Sequence, residues 1–74
     1  MTIKTLREKK NLTKTELAKQ TGVSRQTIYN IESGRFTPKY DLAESLSDVL
    51  GVSVAKIYKI CEQQNATYKS GGNV

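Results

Sequence analysis

The chain has 74 residues, enough for one small domain, and it leaves no room for the deep cleft most enzymes need. Twelve Lys and Arg against seven Asp and Glu give a net charge of +5. That excess favours a polyanionic partner, either nucleic acid or an anionic membrane surface. One cysteine and no histidine exclude an intramolecular disulfide, a Cys/His zinc cluster and every His-based nucleophile arrangement.

Punctuation divides the sequence into five helical patterns. Ile3, Leu6, Arg7 and Lys10 recur at helical spacing, and the pattern closes at Asn11. The second opens on Thr13-Lys14-Thr15-Glu16, a capping box in which Thr13 and Glu16 each satisfy a free backbone N–H. It runs through Leu17 and Ala18 to Gly22, a residue able to take the left-handed conformation that ends a helix. Ser24 is expected to cap a third helix, with Ile28 and Ile31 inward and a stop at Gly34.

Thr37-Pro38 predicts the start of the fourth helix, a cap followed by proline at the first helical position. Its apolar set is Leu42, Ala43, Leu46, Val49 and Leu50, and Gly51 ends it. Ser53 is expected to cap a fifth, with Val54, Ile57, Tyr58 and Cys61 along one side. That apolar stripe makes Cys61 a packing residue rather than a redox sensor, which needs an exposed, electropositive setting. No segment alternates with period 2. The expected fold is all-α, a compact five-helix bundle with short connections. Residues 1–62 make the domain, and the polar, glycine-bearing stretch 63–74 is expected to be a disordered, flexible tail.

The charge is uneven. Residues 1–40 carry nine cations against Glu8, Glu16 and Glu32, a net +6, whereas residues 41–74 carry Lys56, Lys59 and Lys69 against four anions, a net −1. A polyanion would therefore meet the first half. The start, Met1 to Arg7, lacks the apolar run of a signal peptide. No stretch approaches the ~20 apolar residues of a membrane span. A cytoplasmic location is expected, with no membrane partner, cofactor or bound metal. The Lys4–Lys10 run is only weakly like a membrane anchor, because Ile3 and Leu6 are needed for the core.

Between Lys14 and Ser33 lie a small residue, Ala18, a turn Gly22-Val23-Ser24, and apolar anchors beyond it. Two helices packed at a steep angle require that arrangement. At ~100° per residue, Ile28 and Ile31 point one way, and Arg25, Gln26, Tyr29 and Asn30 fall within an arc of about 140° on the other side. Arg can grip guanine O6 and N7 in a bidentate fork, and Gln or Asn can do the same with adenine N6 and N7. Tyr29 offers a ring for a thymine methyl or a hydroxyl for phosphate.

The run from Leu12 to Arg35, LTKTELAKQTGVSRQTIYNIESGR, resembles the phage-repressor helix-turn-helix family, the Cro/CI-like or Xre group. The resemblance continues through Pro38, the Leu42–Leu50 helix and the Leu50-Gly51-Val52-Ser53 junction. It implies a lambda-repressor-like five-helix bundle whose third helix, about residues 24–33, enters the major groove. Arg25, Gln26 and Asn30 would then contact bases, with Tyr29 as a further candidate. Lys14 stands where the family usually carries Gln. A lysine can contact phosphate but has no carbonyl with which to orient Arg25.

Thr13, Lys14, Ser24, Thr27, Arg35 and Lys39 are candidate phosphate contacts, since hydroxyls and N–H groups at helix N-termini suit anions. Thr13 and Ser24 also have capping as a sufficient structural reason. Arg7 and Glu32 are charges on inward-facing positions, which suggests a partly buried structural ion pair, and the family pattern implies the same pairing.

The expected function is a sequence-specific double-stranded DNA-binding transcriptional regulator, a Cro-like repressor bound as a homodimer to a pseudo-palindromic operator. No sensor domain or small-molecule effector is expected. The subunit contact is expected within Val49–Tyr58, marked by an exposed Val52 or Tyr58. The rival is an antitoxin-like protein-interaction module, which would be expected to carry a long apolar or acidic C-terminal extension. Only twelve residues follow Glu62 here.

Overall fold

Hydroxyl side chains begin four of the five helices. The computed structural model describes residues 2–72, with side-chain environments for residues 2–64. Its elements are α1 (Ile3–Lys9), α2 (Lys14–Thr21), α3 (Arg25–Glu32), α4 (Tyr40–Leu50) and α5 (Val54–Gly72), with no strand among the described residues. Thr2 Oγ1 accepts from Thr5 N–H at 3.1 Å to start α1, and Ser53 Oγ accepts from Lys56 N–H at 3.1 Å to start α5. At α2 the capping box is complete: Glu16 N–H donates to Thr13 Oγ1 at 3.1 Å, and Thr13 N–H donates to Glu16 Oε1 at 2.8 Å. Ser24 Oγ accepts from Thr27 N–H at 3.1 Å and starts α3.

The ends are equally local. After α3, Gly34 takes φ +83°, which lets Arg35 N–H reach Asn30 O at 2.9 Å and Gly34 N–H reach Ile31 O at 3.2 Å. These two bonds close the last turn in a Schellman motif. Asn11, at φ 58°, makes the same left-handed exit from α1.

Each helix sends two or three apolar side chains into one core. Ile3, Leu17, Ile28, Ile31, Leu46, Ile57 and Cys61 are completely enclosed. The second helix packs against α3 and α4, α4 packs against α5, and α1 reaches α3 and α5. Ala18 is buried between larger neighbours, and its short side chain lets α3 approach α2 closely. Burial pushes the Cys61 thiol up to about 11, so it is a packing residue in a protonated state.

Two boundaries differ from those expected. The fourth helix starts at Tyr40, not at Thr37-Pro38, and its N-cap Lys39 makes no side-chain cap bond. Pro38 is fully buried: its ring fills space beneath an extended loop instead of opening a helix, and it restricts Thr37 to extended backbone. The fifth helix continues past Glu62 to Gly72. No proline or glycine interrupts residues 62–70. Gln64 is tied into the fold, its Oε1 accepting from Ile3 N–H at 3.0 Å and its Nε2–H donating to Ile31 O at 2.8 Å. Asn73 and Val74, the last of the expected tail, lie outside the described residues.

Candidate nucleic-acid interface

The interface is built outward from Ile28 and Ile31. Their complete burial fixes the rotation of α3 about its axis, so the opposite face is presented outward. Arg25 and Gln26 are exposed there, Tyr29 is 43% exposed, and Asn30 is half-buried. Arg25 makes no ion pair with a described residue, which leaves its guanidinium fork available. Gln26 Nε2–H donates to Asn30 Oδ1 at 3.1 Å. That bond joins two amide side chains one turn apart and holds them in register along the face.

An ion pair ties the last turn of α3 to α1. Arg7 Nε–H donates to Glu32 Oε2 at 2.7 Å and Nη2–H to Oε1 at 3.4 Å, while Nη1–H donates to Leu12 O at 2.8 Å. Both side chains are at least nine-tenths buried, at 7% and 5% exposure. One guanidinium therefore joins α1, the α1–α2 turn and the last turn of α3.

The remaining candidates surround α3. Lys14, the first residue of α2, is half-buried with Nζ 4.0 Å from Glu32 Oε1. Thr13 and Ser24 are exposed but spend their hydroxyl oxygens on helix caps. Thr27 Oγ1 lies 3.0 Å from Ser24 Oγ in the same cap. Arg35 and Lys39 are exposed on the loop that leaves α3. Thr21, at the end of α2, donates its hydroxyl to Leu17 O at 2.8 Å.

Lys4 is the residue that sequence reasoning did not single out. It shares a cavity with Lys14, Tyr29, Glu32 and Ser33, yet in the sequence it is one of several cations on α1. Val49, Val52 and Tyr58 are half-buried and packed against the core, so neither Val52 nor Tyr58 is the exposed apolar residue expected to mark a subunit contact. No helix among the described residues is long and apolar enough to cross a membrane.

Comparison with known proteins identifies the family. A family model described as helix-turn-helix matches residues 3–57. An uncharacterised helix-turn-helix-type transcriptional regulator of Methanocaldococcus jannaschii is 46% identical over 48 residues, 65% of this chain and 73% of that protein. A second such regulator, from Archaeoglobus fulgidus, is 37% identical over 62 residues, 84% of this chain and 87% of its own length. The immunity repressor protein of Bacillus phage phi105 is 30% identical over 71 residues, 92% of this chain but 49% of the repressor. No solved structure matches. From α1 to the first turn of α5, the chain belongs to the helix-turn-helix family of the Cro/CI-like, Xre type.

Proposed function

We propose that the chain reads a specific operator, with α3 in the major groove and two copies bound to a pseudo-palindromic site. The protein is a DNA-binding transcriptional regulator, as its relatives are named. The observation that carries the finer reading is the outer face of α3: Arg25, Gln26, Tyr29 and Asn30 are side chains able to recognise bases, and the core needs none of them. Lys14, Thr13, Ser24, Thr27, Arg35 and Lys39 surround that face as phosphate contacts, which fix register and orientation without reading sequence.

A homodimer supplies the second half-site, about 34 Å away along the duplex. Its contact would fall in Val49–Tyr58, the segment the family resemblance implies, with Val52 and Tyr58 half-buried rather than exposed. Repression is the sign favoured by the likeness to a phage immunity repressor, and occupancy of the operator alone would exclude a competing protein. The work is done in the cytoplasm, on chromosomal or phage DNA.

Selection of bound duplexes from a random pool tests the reading. An inverted repeat with half-sites one helical turn apart supports it. A pool without an enriched motif contradicts it.

A further inference from the structure

A shallow cavity of about 180 Å³ opens where α1, α2 and α3 meet, lined by Lys4, Lys14, Tyr29, Glu32 and Ser33. Its one carboxylate is already neutralised. Glu32 is 5% exposed and holds the Arg7 guanidinium at 2.7 Å from behind. Lys14 Nζ, 4.0 Å from the same carboxylate, is kept over the cavity instead of extending into solvent. Lys4, from α1, also lines the cavity, exposed and without an ion-pair partner among the described residues. Arg7 and Lys14 both face that carboxylate, and Lys4 adds a third cation at the lining of the cavity without pairing with it.

The cavity also offers a neutral donor. Ser33 already spends its hydroxyl hydrogen on Asn30 O at 3.2 Å, but the Tyr29 hydroxyl has no hydrogen-bond partner among the described residues. Two ammonium groups and a phenol suit a tetrahedral oxyanion. The volume leaves room for accompanying water, whose share of the liquid is about 30 Å³ per molecule. Arg25, Tyr29 and Ser33 are spaced i, i+4, i+8 and so share one ridge of α3. An anion seated in the cavity thus lies at the far end of the ridge on which Arg25 meets its target.

We propose that this cavity seats a backbone phosphodiester of the bound duplex, with Lys4 and Lys14 as paired ammonium ligands and the Tyr29 hydroxyl as donor. The proposal rests on the reading of α3 as the DNA-contacting helix. It adds α1 to the interface and makes Lys4 a binding residue. A free phosphate ion shares the chemistry, but the ridge places the duplex backbone beside the cavity.

The test compares wild type, Lys4→Ala and Lys9→Ala on a duplex carrying the selected motif, with affinity measured between 50 and 200 mM salt. Lys9 is the control, exposed on α1 and outside the cavity. Lys4→Ala is expected to weaken all sequences alike and to flatten the log–log salt slope, by less than the ~0.9 of a whole phosphate because Lys14 still faces the same one. Lys9→Ala is expected to match wild type. A duplex with one neutral methylphosphonate at the seated position should bind wild type and Lys4→Ala equally.

Lys4→Ala with the slope and affinity of Lys9→Ala overturns the cavity proposal alone. Saturable binding of inorganic phosphate that needs Lys4, with duplex affinity independent of Lys4, overturns it in favour of a free anion. A wild type that binds no duplex overturns the reading of α3 as well.

Discussion

Arg7 and Glu32 are 25 residues apart in the sequence and 2.7 Å apart in the fold, Nε to Oε2. The pair joins α1 to the last turn of α3, the helix proposed to read bases. Because both side chains are nearly enclosed, neither charge has water to fall back on when its partner is removed. The cost of losing one partner therefore falls on the whole domain.

Arg7→Ala is expected to destabilise by about 3–5 kcal/mol, with Tm falling roughly 4–8 °C for each kcal/mol in a domain of this size. DNA binding is lost with the fold. Thermal unfolding by circular dichroism checks this, and a wild-type Tm would contradict it.

Gln64 bridges Ile3 N–H and Ile31 O, so Gln64→Ala leaves two part-buried backbone groups to find other partners. A loss of about 1–2 kcal/mol is expected. Truncation after Glu62 should cost at least as much. An unchanged urea midpoint for either variant would show that the chain beyond Glu62 adds nothing to the domain.

Thr13 has two roles that one substitution separates. Aspartate caps a helix as well as threonine does, but its charge repels a phosphate. Thr13→Asp is expected to keep the wild-type urea midpoint and weaken duplex binding at every sequence. Equal duplex affinity would leave Thr13 a cap only.

Cys61 makes stability depend on alkaline pH. The unfolded thiol ionises from its ordinary 9.0, while burial holds the folded thiol up to about 11. Between those values the folded state keeps a proton that the unfolded state releases, so stability falls as pH rises through that window. Below it the thiol has no effect. Urea midpoints at pH 8 and pH 10.5 should separate more for wild type than for Cys61→Ala, and equal separation would contradict the assignment.

Much of the fold could be read from the residues because its signals are local. Thr13 and Glu16, Ser24 and Gly34 act within a turn of where they stand, and Ile28 with Ile31 fixes which side of α3 faces out. Arg7 and Glu32 could be placed as inward charges by period alone. The misplaced start of α4 has a tertiary cause: Pro38 is buried, and a Thr-Pro pair reads the same whether its ring caps a helix or fills a gap. Gln64 and Lys4 were illegible for the same reason. Each is an ordinary polar residue until packing ties Gln64 to α1 and α3 and sets Lys4 beside Lys14 in one cavity.

The central claim is that the exposed face of α3 reads base edges. Base preferences from random-pool selection, obtained in parallel for wild type and Arg25→Ala, test it most directly. Arg25 makes no structural contact that its loss would break, so the variant should fold as wild type. The account predicts that Arg25→Ala loses preference at one base pair of each half-site, at about 1–3 kcal/mol, with the rest of the motif kept. An unchanged motif for Arg25→Ala would contradict it.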